Sequence, residues 1–131
     1  MIIKTVRISK NGRDKLIRLK SKTGIQNWNI LCRWALCYSL REGTVPADVK
    51  IKEENVLEMS WVVFAGEYGE IYEGIIKEWC LEHGILVTDE NVEKYFKLHL
   101  ERGIGYLSGT NFIKNLEDLL RRTGDKNGDI S

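Results

Sequence analysis

Residues 25–40, IQNWNILCRWALCYSL, limit the possible folds more than any other stretch. At about 100° per residue the side chains of Trp28, Ile30, Leu31, Cys32, Trp34, Ala35, Leu36, Cys37, Tyr38 and Leu40 cover nearly the whole circumference of a helix. A helix that is apolar all round is buried. A short chain can hide it only in its own core or against another copy of itself. Residues 25–40 are therefore expected to form the central helix, with Trp28, Leu31, Trp34 and Tyr38 as core and oligomer contacts. Arg33 is the odd residue there: a guanidinium must snorkel to an edge, pair with a carboxylate or face a polar ligand. A structural ion pair is preferred over a ligand contact.

At 131 residues and 43% hydrophobic content the chain reads as one domain, large enough to bury a core without disulfides or metal. The three cysteines, Cys32, Cys37 and Cys80, lie in apolar helical patterns without a CxxC pair, so they read as reduced core residues of a cytoplasmic protein. The N-terminus has no secretory h-region and no run approaches a membrane span, which points to a soluble intracellular protein.

The net charge of +1 hides an uneven distribution. Residues 1–22 carry Lys4, Arg7, Lys10, Arg13, Lys15, Arg18, Lys20 and Lys22 against Asp14 alone, a net +7 that leaves −6 for the rest. Such a cluster can neutralise several phosphates and bind nucleic acid with strong salt dependence. It positions a backbone and carries no base information in itself. A solvated basic arm without a partner is the other reading.

Along the chain, residues 5–9 alternate as a short half-buried strand does, with Thr5 and Arg7 outward. Ser9 suits an N-cap for a helix over residues 10–23, which Gly24 stops. On that helix Leu16, Ile17 and Leu19 form a narrow apolar face, while Lys15, Arg18 and Lys22 share another. Strand, basic helix, glycine turn and second helix fit a ribbon-helix-helix unit, in which strands of two chains pair and read the DNA major groove. Residues 41–55 are the main linker, with the only proline, Pro46. Residues 57–64 are apolar but too short to assign between strand and helix.

An amphipathic helix over residues 67–83 is expected to bury Tyr68, Ile71, Tyr72, Ile75, Ile76, Trp79 and Cys80, with Gly84 at its end. Glu67, Glu70, Glu73 and Glu78 read as its solvated acidic face, since no HExxH or ExxH pair accompanies them. Thr88 caps a further helix ending near Gly103 and burying Val92, Tyr95, Phe96, Leu98 and Leu100. His83 and His99 lack metal-ligand spacing and read as partly exposed structural residues. Residues 102–109, RGIGYLSG, read as a tight turn in preference to a phosphate loop, because GxG here lacks the lysine of a P-loop and follows a helix. A last helix over residues 110–122, capped by Thr110, would turn Phe112, Ile113, Leu116, Leu119 and Leu120 inward, before a disordered tail at 123–131. The fold class is mainly α: a single compact helical domain over 1–122 with a short N-terminal strand.

The segment 24–35, GIQNWNILCRWA, preceded by Leu16-Ile17-Arg18-Leu19-Lys20 and followed by Arg102-Gly103-Ile104-Gly105-Tyr106-Leu107, resembles the DndE family of bacterial DNA phosphorothioation systems. The resemblance spans about residues 5–109, in the same order and spacing. It implies a small homotetrameric protein that binds duplex DNA, nicked duplex preferentially, through surface lysines. It also implies action beside a sulfurtransferase-type partner and an ATPase as sulfur replaces a non-bridging phosphate oxygen. Charge and position make Lys4, Arg7, Lys10, Arg13, Lys15, Arg18, Lys20 and Lys22 the candidate DNA contacts. The residues give no catalytic constellation, metal set or cofactor motif. A carboxylase-like, ATP-dependent enzyme would need a longer chain, whereas a ribbon-helix-helix regulator or an adaptor subunit stays open.

Overall fold

The computed structural model describes residues 2–48, 54–109 and 114–124. In chain order these form β1 (Thr5–Ser9), α1 (Lys10–Thr23), α2 (Trp28–Arg41), β2 (Asn55–Ser60), α3 (Trp61–Ala65), a single 3₁₀ turn (Gly66–Tyr68), α4 (Gly69–Glu82), α5 (Asp89–Leu107) and α6 (Leu116–Gly124). The fold is mainly α, as expected, and the described residues also form a two-stranded sheet.

Local chemistry sets the first elements where the sequence puts them. Ser9 is extended and its hydroxyl accepts the Gly12 N–H at 3.0 Å, so the strand passes into α1 at one capped residue. Gly24 adopts φ +77°, a left-handed C-cap that a side chain would strain, and its N–H donates to Lys20 O. Ser60 and Thr88 cap α3 and α5 in the same way, accepting the N–H groups of Val63 and Asn91.

The two-chain ribbon is not what forms. β1 pairs antiparallel with β2 of its own chain, from Thr5 opposite Ser60 to Ile8 opposite Leu57, with a bulge before Ser9 meets Asn55. Trp61 N–H donates to Lys4 O, so alternate residues of β1 turn their backbone groups to the other edge. That edge is occupied: Lys97 Nζ donates to Arg7 O at 2.8 Å and Glu101 Oε2 accepts the Ser9 N–H at 2.9 Å. A strand from a second chain would have to displace both. Residues 57–64 resolve into the end of β2 and the start of α3, with Ser60 between.

The core is built on α2 against α5, the most extensively packed pair. Ala35 meets Gly103 and Ser39 meets His99, so the two helices run antiparallel. At their crossing a Cβ on Gly103 would lie 1.8 Å from Ala35 O. That glycine is therefore a contact between helix backbones and not a turn residue. Accordingly α5 runs on through Gly103 and Gly105 to Leu107, where the sequence suggested an end near Gly103 and a tight turn. Beside the crossing, Trp61, Phe64, Tyr72 and Phe96 form an aromatic cluster with ring centroids 5.2 to 5.4 Å apart.

Several burial expectations change. α2 starts at Trp28, three residues late, and buries only Leu31, Cys32, Ala35, Leu36 and Ser39 within the chain. Trp28, Trp34, Tyr38 and Leu40 are half-buried and Cys37 is exposed, so one chain does not enclose the helix. Arg33 has no carboxylate partner among the described residues. Its Nε donates to Phe64 O, one of the carbonyls left open at the end of α3. On α4 Ile76, Trp79 and Cys80 are buried, whereas Ile71 and Ile75, and Tyr68 in the turn before it, are exposed. Glu67, Glu70 and Glu78 are exposed as expected, but Glu73 is half-buried on Ile2 N–H at 2.6 Å. Burial pushes its carboxyl up, and the Ile2 bond and the Lys77 ammonium outweigh this and hold it below the usual range.

His99 is fully buried, contrary to expectation, and His83 is half-buried, stacked on Trp79. In α6 Leu119 is buried while Leu116 and Leu120 are exposed. Its first N–H groups are served by Asn115, whose Oδ1 accepts the Asp118 N–H. The expected Thr110 cap, Phe112, Ile113 and the tail from 125 lie outside the described residues. Among the described residues no helix is long and apolar enough to cross a membrane.

Candidate nucleic-acid interface

The eight basic residues do not act as one patch. Lys4 and Arg7 belong to the strand, and both are exposed. Arg7 Nε is bonded to Glu58 Oε1 at 2.9 Å, across the sheet at the opposite position. Lys10 begins α1 and points to solvent. Arg13 stands 3.6 Å from its neighbour Asp14. Lys20 lies over the Trp28 indole, 3.5 Å from its centroid, a cation–π contact that ties the end of α1 to the start of α2.

The remaining three fall together. With Leu16, Leu19, Gly12 and Thr23 buried, the helical repeat sets positions 15, 18 and 22 along one flank and positions 13 and 20 along the other. Among the described residues no carboxylate lies within ion-pair distance of Lys15, Arg18 or Lys22. This flank adjoins the last turns of α5, since Lys15 Nζ is 3.7 Å from where a Cβ on Gly105 would stand. The sequence spacing identified this flank. It did not show that α5 lies beside it.

Behind the flank the packing is held by a buried polar network that sequence spacing could not reveal. Arg102 Nε donates to Ser39 Oγ at 2.8 Å and its Nη2 to Ser39 O and Thr44 O, at 2.8 and 3.1 Å. Ser39 Oγ is also hydrogen-bonded to His99 Nδ1, 2.8 Å away, so one hydroxyl joins the Arg102 guanidinium to the imidazole. His99 is neutral in this setting. Burial, and then the Arg102 charge, push its pKa down to about 3. A Ser–His pair this deep offers no substrate access, so its role is to pin the linker and α2 onto α5.

The other candidate chemistries are placed plainly. Burial, with Glu101 adding to it, pushes the Cys32 thiol up to about 12, which makes it inert as a nucleophile. Among the described residues no three His, Cys, Asp or Glu side chains are grouped to hold a metal ion. Lys97, missed as a structural residue, is anchored by Arg7 O, Asn55 Oδ1 and, 3.6 Å away, Glu101. Burial lowers its pKa against the opposing pull of Glu101.

A small, mainly helical unit built on an antiparallel α2–α5 pair, with a cationic helix packed across it, is the class that fold and site define. Comparison with known proteins narrows this to a family. The family model for "DNA sulphur modification protein DndE" matches residues 5–115, and the chain belongs to that family. Its place is thus in DNA sulphur modification. The crystal structure of DndE from Escherichia coli B7A, described as involved in DNA phosphorothioation modification, aligns with a TM-score of 0.67 at 24% identity, covering 82% of this chain and 98% of that one. A DndE mutant with two glycines changed to lysine aligns with a TM-score of 0.61 at 21% identity, covering 79% and 95%. Both share the fold. No curated protein matches the sequence.

Proposed function

We propose that this chain is the DNA-contacting, non-catalytic component of a DNA phosphorothioation machinery, and that the Lys15–Arg18–Lys22 flank of α1 tracks the phosphate backbone. The supporting observation is that three cations on one flank have no carboxylate to neutralise them among the described residues. Lys4, Arg7, Lys10, Arg13, Lys20 and the flank then supply a wider positive field that steers association. Preference for nicked over intact duplex, action beside a sulfurtransferase-type protein and an ATPase, and a cytoplasmic place rest on the resemblance to the family.

Assembly into a homotetramer fits the apolar surface the single chain leaves uncovered. Trp34 is half-buried, and Ile71 and Ile75 of α4 help line a cavity of about 430 Å³ with Leu40 and Trp79. Repeating the basic flank on each copy would raise DNA affinity through multivalency. Light scattering checks this part: a stable monomer at micromolar concentration that still binds DNA would remove it.

The principal test is a salt titration with intact, nicked and single-stranded DNA. Replacing Lys15, Arg18 and Lys22 together by Ala should weaken binding and flatten the slope of log K against log salt by roughly 0.9 per lost phosphate contact. An unchanged slope would move the site off α1. Sequence-specific affinity for one intact duplex, with no gain at nicks, would instead favour a regulator.

A further inference from the structure

Next to the cationic flank the molecule carries an aromatic recess that none of the roles above uses. On α5, Arg102, Gly105 and Tyr106 recur at intervals of three and four, so they share one face, and Gly109 follows just beyond the helix end. Tyr38 of α2 and its C-cap residue Glu42 are likewise four apart. The Ala35–Gly103 contact holds the two helices together, and the long side chains of Tyr38 and Tyr106, rooted on opposite sides of that crossing, meet edge to face at 5.9 Å and 73°. Together with Glu42, Gly105 and Gly109 they line a cavity of about 430 Å³, within the size range of small-ligand sites. The Arg102 guanidinium lies 5.5 Å from the Tyr106 ring and that of Arg41 lies 5.3 Å from Tyr38.

Resting on the DNA-binding reading of the α1 flank, we infer that this recess takes a nucleobase swung out of the duplex while its phosphates lie along Lys15, Arg18 and Lys22. Three observations converge on a base as the occupant. Tyr106 is 40% exposed, so its ring has area open for stacking, and a stacked base gains from any aromatic platform whatever its sequence. The glycine at 105 leaves no side chain between Lys15 and the recess, which joins it directly to the phosphate track. Finally, among the described residues Glu42 is the only charged side chain of the lining, with the Arg41 and Arg102 guanidiniums beside the Tyr38 and Tyr106 rings. A carboxylate repels phosphate but accepts hydrogen bonds from the amino groups of bases, as Glu does from cytosine N4. The recess therefore favours bases with an exocyclic amino group over thymine. An unpaired or frayed base at a strand break enters at least cost, since it has little stacking to lose.

The test uses full-length protein and a nicked duplex with a one-nucleotide 2-aminopurine flap at the nick, bright when unstacked. Wild type should quench the flap on binding. Tyr106→Leu should abolish the quench and weaken binding to the flapped duplex about 5- to 150-fold, with a smaller loss on intact duplex, where the base must first be unstacked. Tyr106→Phe should restore both, and circular dichroism confirms that each variant is folded. The Lys15, Arg18 and Lys22 triple substitution should weaken all duplexes alike. If wild type binds the flapped duplex without quenching, or Tyr106→Leu binds and quenches like wild type, the recess is not a base site and the DNA reading stands. If wild type binds no DNA at low salt, both fall.

Discussion

Replacing Gly103 by Ala tests the helix crossing on which everything else is mounted. Helix propensity alone favours the change by about 1 kcal/mol. The new methyl, however, would stand 1.8 Å from Ala35 O and 2.5 Å from Ala35 C, and side chains essentially never come closer than 3.0 Å. The obstacle is backbone, so α2 and α5 must part by about 1.2 Å at the crossing. Overpacking of a core costs roughly 1 to 3 kcal/mol. Parting also loosens the Ser39–His99 and Arg102–Ser39 bonds, worth about 1 kcal/mol each. Set against the propensity gain, the net expectation is a loss of about 2 to 4 kcal/mol, a large share of a typical domain's stability. Urea denaturation followed by circular dichroism measures it. Gly74→Ala is the control: that glycine lies on α4 with no atom within 4 Å of a new Cβ, so it should gain up to about 1 kcal/mol. A Gly103→Ala protein as stable as wild type would refute the argument.

Arg33→Ala should lose about 1.5 to 3 kcal/mol in the same assay, the range for a hydrogen bond from a charged donor, because Arg33 serves Phe64 O and not a buried carboxylate. Stability should also fall with pH through His99. Its pKa is about 3 when folded and near 6.5 when unfolded, so between those values only the unfolded chain takes up the proton. The loss should approach about 1.4 kcal/mol per pH unit below about 6.5, be absent above it, and shrink in His99→Gln relative to wild type when both are melted at pH 7.5 and 5.5. A thiol reagent should modify Cys37 in the native protein, slowly because burial pushes its thiol up, and leave Cys32 and Cys80, both buried, until unfolding; mass spectrometry of the labelled peptides decides it.

What was legible in the sequence was local. The cap at Ser9, the stop at Gly24 and the start at Thr88 are set by residues within a turn of the boundary, and each lies where the sequence put it. The common flank of Lys15, Arg18 and Lys22 follows from spacing alone. What was not legible depends on residues far apart in the chain. Gly103 looked like a turn because a helical glycine and a turn glycine have the same local sequence; only Ala35, 68 positions earlier, distinguishes them. His99 looks partly exposed in sequence because its partner, Ser39, 60 positions earlier, is recognisable only after α2 and α5 are docked. The strand was correctly placed and its partner was not, since alternation marks an edge without saying which segment joins it.

The antiparallel docking of α2 on α5 also sets a timetable for synthesis. Leu31, Cys32, Ala35 and Leu36 are translated early, yet much of their cover belongs to α5, which ends at Leu107. At about 5 to 20 residues per second the ribosome needs roughly 3 to 13 s to add the intervening stretch. During that interval this apolar helix is without its main neighbour, whereas β1 must wait only for β2. The nascent N-terminal third is therefore a natural client for a chaperone that holds hydrophobic segments. Slow codons placed before α5 should lower soluble yield, while those placed after it should have little effect.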